Sequence, residues 1–148
     1  MMRALKMKRF RHDVRGAIAV EFALLAPLLI TMMIGVFQMG VYMQNYNAVR
    51  SLASDSARYT MIEYQRGNEI DNETIRSVLL GDAVNAPYFL DTDRLVITVT
   101  TADTSRVTDA KEINVAISYT LEDFLPFVEL PQQTLTYDRP IFVVESSS

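Results

Sequence analysis

A single carboxylate, Glu21, stands at the head of 28 uncharged residues, Phe22 to Val49, and the next charge is Arg50. An acid carried to the centre of a membrane helix costs about 2.5–3.5 kcal/mol. Its chemistry there is to find a proton, a hydrogen bond or a cation. Gly16-Ala17 lies just upstream. Proteolysis between these two residues creates an α-amino group with an ordinary pKa of about 7.7–8.0, one helical turn before Glu21. In an assembly of copies, the Ala17 amine of one subunit can donate to the Glu21 carboxylate of the next and fix the register of two packed helices. A snorkelling carboxylate on an ordinary signal anchor is the alternative that the spacing leaves open.

The other reactive groups are few. The chain has no cysteine and one histidine, His12, within the basic start of the sequence. Disulfides and cysteine-metal sites are excluded, and histidine-based metal binding or acid–base catalysis has no second partner. Asp91-Thr92-Asp93 has calcium-like spacing but lacks the third acid, the glycine and the distal glutamate of a calcium loop, and reads as solvated turn acids. Asn72-Glu73-Thr74 fits a glycosylation sequon, a match too short to carry weight. There is no phosphate-cradling glycine loop, no nucleophile elbow and no aromatic-basic stripe for nucleic acid. The reading is therefore not an enzyme, with no cofactor, no metal and no nucleic-acid partner.

Charge supplies the topology. Arg3, Lys6, Lys8, Arg9, Arg11 and Arg15 precede the apolar run with only Asp13 against them, whereas the remainder is acidic enough to give a net charge of −4 over 148 residues. The positive-inside rule puts the N-terminus in the cytoplasm and the acidic part across the membrane. The apolar run exceeds the roughly 20 residues that span a bilayer and is about twice a secretory h-region of 7–15. Ala17-x-Ala19 lies on the wrong side of it for signal peptidase, and Ser51-Leu52-Ala53 lies beyond a full span. A cut is expected only between Gly16 and Ala17, on the cytoplasmic face.

Residues 15–29, Arg-Gly-Ala-Ile-Ala-Val-Glu-Phe-Ala-Leu-Leu-Ala-Pro-Leu-Leu, with Gly35, Gly40 and Ala57-Arg58 beyond, resemble the TadE-like family. These are minor pilins or pseudopilins of the Tad (tight adherence) pilus system. The resemblance implies that Gly16 is the last leader residue, cut by an aspartic prepilin peptidase, that Ala17 is the new N-terminus, and that Glu21 is the fifth mature residue. Phe22 stands where the major Tad pilin usually has tyrosine, and Pro27 matches a proline common in the middle of the family's helix. Alanine at the first mature position and the length of the chain both point to an accessory subunit. The implied partners are the prepilin peptidase, other pilin and minor pilin subunits, the assembly platform in the inner membrane, and the lipid bilayer. The implied role is in pilus biogenesis, adhesion and surface attachment. An unprocessed single-pass anchor presenting an extracytoplasmic ligand- or partner-binding module is the alternative.

The elements that must position these residues follow from periodicity. A helix is expected from Ala17 to Arg66, because 48–66 lacks proline and glycine and Gly67-Asn68 is a stop signal. Pro27 is a candidate kink, and Gly35 and Gly40 are either close-packing positions or simply tolerated. Tyr42 and Tyr46 form an interfacial aromatic pair. Val49, Leu52, Ala53 and Ser56 recur at helical spacing and mark a buried face. A second helix is expected from Asp71 or Asn72 to Gly81, with the stripe Ile75, Val78 and Leu79. Strict alternation gives strands through Leu95–Thr100 and Ile113–Leu121, and a third from Leu135 to Val144 in which Pro140 favours an edge or a bulge. The linker Glu122–Pro131, with Phe124, Leu125, Phe127 and Val128, is expected to tuck under the sheet or to form a partner-binding loop. The fold class is α+β: a pilin-like transmembrane helix continuing into a small, mainly antiparallel three-stranded domain with a short helix. The divisions are 1–16, a basic cytoplasmic leader; 17–41, the transmembrane helix; 42–66, its extracytoplasmic extension; and 67–148, the extracytoplasmic α/β domain.

Overall fold

The computed structural model of the chain describes residues 14–124 and 132–144. The order of elements is helix α1 (Val14–Gln65), helix α2 (Asn72–Ala83), a 3-10 turn (Thr92–Arg94) and strands β1 (Leu95–Thr101), β2 (Lys111–Thr120) and β3 (Thr134–Val143). The strands form one antiparallel meander, β1-β2-β3. The α+β expectation is met.

α1 is a single helix of 52 residues, roughly 78 Å long at 1.5 Å per residue. It passes through Pro27 without losing its helical assignment. The ring removes one N–H, so the carbonyl of Ala23 loses its intrahelical donor. One turn on, the Thr31 hydroxyl donates to the Pro27 carbonyl at 2.8 Å. The far end is closed by Gly67 at φ +79°, a left-handed position that glycine takes without strain. Gly67 N–H donates to the Tyr64 carbonyl at 3.0 Å and Asn68 N–H to the Glu63 carbonyl at 2.9 Å, the paired bonds of a Schellman cap.

The core is built where one stripe of α1 meets the inner face of the sheet. Val49, Leu52, Ala53, Ser56, Ala57, Thr60 and Tyr64 are buried at helical spacing. Opposite them lie Leu95 and Ile97 of β1, Ile113, Val115, Ile117 and Tyr119 of β2, and Leu135, Ile141 and Val143 of β3. Both helices pack on this face, α1 mainly against β3 and α2 against β1. The register is unbroken, from Leu95↔Tyr119 to Thr101↔Ile113 and from Lys111↔Val143 to Thr120↔Thr134. Pro140 pairs with Asn114 inside that register, so the edge position, not a bulge, accommodates its missing donor.

α2 begins as expected. Asp71 caps it, its carboxylate accepting from Thr74 N–H at 2.8 Å, and the Thr74 side chain, then this backbone bond, hold the Asp71 carboxyl below its ordinary value. Its end differs from the expectation. The helix runs past Gly81 to Ala83 because Ala83 continues the buried line of Ile75 and Leu79, and Leu90 N–H closes back onto the Ala83 carbonyl at 2.8 Å. Burial of the next turn outweighs the roughly 1 kcal/mol that glycine costs a helix.

Two measurements test this core. Ile117→Ala, at a fully buried position, is expected to lower stability by about 2–5 kcal/mol in denaturation of the full chain in detergent micelles, whereas Thr98→Ala on the open face changes it by no more than about 0.5 kcal/mol. Among the described residues, the buried Thr60 hydroxyl has no hydrogen-bond partner. Thr60→Val keeps the shape and removes that group, and is expected to raise stability by about 1 kcal/mol in the same assay.

Candidate functional site

The expected site residues all lie on the lower part of α1. The helix is described from Val14, so Gly16, Ala17 and Glu21 all lie within it. A Cβ added to Gly16 would meet nothing within 4 Å. Ala17 and Glu21 are exposed and one turn apart on the same side of the helix. Phe22 is 67% exposed and Pro27 is also exposed.

These residues share one rod and nothing else. Among the described residues, Glu21 has no hydrogen bond or ion pair. The first cation above it on α1, Arg50, is 29 residues away, roughly 44 Å along the axis. Nothing on the far side of the apolar run can neutralise this carboxylate within one copy of the chain. The surrounding surface is apolar on every side: Ile18, Val20, Phe22, Leu28, Ile30 and Phe37 point in different directions around the helix and are all at least half exposed. A helix that is hydrophobic all round belongs in lipid or inside a bundle. Among the described residues this is the one helix long and apolar enough to cross a membrane, with mean hydropathy 2.3 in its best window, none of it buried. Gly35 and Gly40 likewise have open space around them, so no packing within the chain requires them.

The sequence pattern of the family described as TadE-like protein matches residues 16–58. This segment is TadE-like. The match starts at Gly16 and ends one turn before Met61, so it takes in the apolar rod and the lower part of the buried stripe. Residues 16–58 are thus similar to the TadE-like family, and the helix that carries them is a candidate membrane span by its length and exposed apolar surface. Comparison with curated proteins and with solved structures gives no match.

The sheet domain carries its own charged contacts, which the sequence reading did not find. Glu112 is a buried acid, 3% exposed, at the start of β2. Its Oε1 accepts from Arg106 Nε at 2.9 Å and its Oε2 from the Arg106 backbone N–H at 3.0 Å, while the guanidinium lies 5.6 Å from the centre of the Phe142 ring. This fork pins the loop between β1 and β2. The Arg106 side chain, then its backbone N–H, holds the Glu112 carboxyl below its ordinary value of 4.5. At the opposite end of the sheet, Arg94 Nη1 donates to Glu122 Oε2 at 3.0 Å and lowers that carboxyl in the same direction. Tyr88 donates its hydroxyl to Asp55, and burial, then this bond, push the phenol up to about 12. Asp91 and Asp93 belong to the 3-10 turn: Asp91 caps it, accepting from Asp93 N–H at 3.0 Å, and also lies 3.6 Å from Arg94. Among the described residues, no group of three His, Cys, Asp or Glu could hold a metal ion.

The sign of the pH effect follows from Glu112. Its folded value is depressed, so its contribution is complete above pH 4.5 and is lost as the pH falls through the lower folded value. Thermal unfolding of the full chain in micelles is expected to show this loss, and Glu112→Gln is expected to unfold at a lower temperature near neutral pH. Its unfolding temperature also falls less steeply under acid than that of the unmodified chain.

Proposed function

We propose that this protein is a minor pilin, or pseudopilin, of a Tad-type pilus. α1 holds it in the inner membrane with the N-terminus in the cytoplasm, the span covering about 17–41 and the sheet domain lying outside. A prepilin peptidase cuts between Gly16 and Ala17, and the mature chain joins other pilin and minor pilin subunits at the assembly platform. Its contribution is to pilus biogenesis and, through it, to adhesion and surface attachment.

The observation that carries this reading is the isolated acid. A TadE-like match that begins at Gly16 places, five residues on, a carboxylate with no partner among the described residues and a long apolar rod beyond it. After the cut, Glu21 is the fifth residue, and the six basic side chains of the leader are replaced by one terminal amine. That amine cannot reach far along its own helix. Donated to the carboxylate of a neighbouring copy, it removes two unsatisfied charges from lipid at once, and the packing of the exposed apolar rods does the rest.

N-terminal sequencing of the membrane-bound protein tests the cut: Ala17 is expected as the first residue where the peptidase is active, and Met1 where it is absent. Gly16→Leu is expected to leave the leader in place. Glu21→Ala is expected to insert and to be processed, with incorporation into sheared pili reduced at least tenfold on immunoblots. A chain still beginning at Met1 in cells with active peptidase favours the unprocessed anchor instead.

A further inference from the structure

The stripe of α1 that faces the domain does not stop at Val49. It continues downward through Ala48, Asn45, Val41 and Gln38, each half-buried among exposed neighbours. The chain that follows β2 comes down to meet it. Gln38 Nε2 donates to Asp123 Oδ1 at 3.3 Å. The Phe124 ring sits edge-on to Phe37, with centroids 5.9 Å apart and planes at 71°. Of the apolar linker expected to tuck under the sheet, Phe124 instead reaches the rod; Leu125, Phe127 and Val128 lie outside the described residues. An open cleft of about 480 Å³ separates Gly35, Met39 and Tyr42 of α1 from Leu121 and Gln133.

The level of this contact is set by helix geometry. From Ile18 to Phe37 is 20 residues, roughly 30 Å, which is the thickness of the hydrocarbon core. Tyr42 and Tyr46 then stand roughly 7 and 13 Å further out, among headgroups and water. Phe37 remains 61% exposed and Phe124 38% exposed, so both rings present free apolar surface at the boundary between acyl chains and headgroups. The two carboxylates beside Phe124 are engaged sideways, Glu122 with Arg94 and Asp123 with Gln38. They nevertheless disfavour an anionic surface, so a zwitterionic one fits better.

We propose that Phe124 is a second membrane contact, seated in the acyl–headgroup boundary of a zwitterionic phospholipid leaflet next to the span. This rests on the reading of α1 as a membrane helix. The sheet domain is then held against the bilayer with its lower edge wet by lipid. Leaving the membrane requires the Phe37–Phe124 surface to exchange lipid for another subunit.

The chain has no tryptophan, so Phe124→Trp is a single reporter. The full chain is placed in phosphatidylcholine nanodiscs with and without brominated acyl chains. Phe37→Trp marks the outer edge of the hydrocarbon core. Val107→Trp, in the loop at the other end of β2, marks water. Emission from Phe124→Trp is expected to be blue-shifted and quenched to at least half the extent of Phe37→Trp, with Val107→Trp unquenched. A Phe124→Trp signal matching Val107→Trp, beside a quenched Phe37→Trp, overturns the proposal and leaves the span intact. An unquenched Phe37→Trp overturns the span, and the proposal with it. Phe124→Cys carrying a spin label gives an independent reading: greater accessibility to oxygen than to a water-soluble nickel chelate supports the lipid contact, and the reverse overturns it.

Discussion

The contact between the upper stripe of α1 and the inner face of the sheet joins two environments through one helix. Val49, Leu52, Ala53, Ala57 and Tyr64 are as buried as the strand residues they meet, while a few turns below the same helix exposes apolar side chains in every direction. The sheet has three strands and two open edges, too little to bury a core by itself. α1 and α2 supply the missing layer. Removing the upper half of α1 would strip the inner faces of β2 and β3, so the domain and the rod are one folding problem. The Schellman cap at Gly67 and the Asp71 cap then turn the chain sharply enough for α2 to lie on the same face as α1.

Much of this was legible because each signal was local. Alternation through Ile113–Tyr119 specifies a one-sided strand, since a slip of one residue would turn every branched side chain to water. Gly67-Asn68 marked the end of α1, and Pro140 marked an edge. What was not legible depended on distant partners. Gly81 looked like a stop, but the site opposite Ala83 decided otherwise. Glu112 lies just before the strand expected from Ile113 and carries no local signal; its burial depends on Arg106, six residues earlier and across a loop. Gln38, the first amide along the apolar run, was the available hint that something polar comes down to the rod, yet no periodicity identifies Asp123 as its partner.

The candidate site shows the opposite balance. Gly16, Ala17 and Glu21 were found from sequence because their chemistry is one of spacing along a single helix, and the fold adds no pocket around them. It adds isolation. Glu21 has roughly 44 Å of uncharged helix between itself and Arg50. Such an acid gains little from its own chain, and its requirements are those of an intermolecular contact. The charges of the sheet domain are of another kind: Glu112, Glu122 and Asp71 are each matched within the fold and fix loops and helix ends.

The unbroken run of α1 from Val14 to Gln65 has a mechanical corollary. A continuous helix transmits rotation as well as position, at 100° and 1.5 Å for every residue. The azimuth at which Glu21 leaves the helix therefore dictates the azimuth at which the β-sheet faces outward, some 30 residues later. If copies of this chain lock together through their lower ends, the heading of each outer domain around the common axis is already decided. One residue inserted between Thr31 and Ile34, below the contacts of Phe37 and Gln38, would swing that domain through more than a quarter turn while leaving every contact inside it intact.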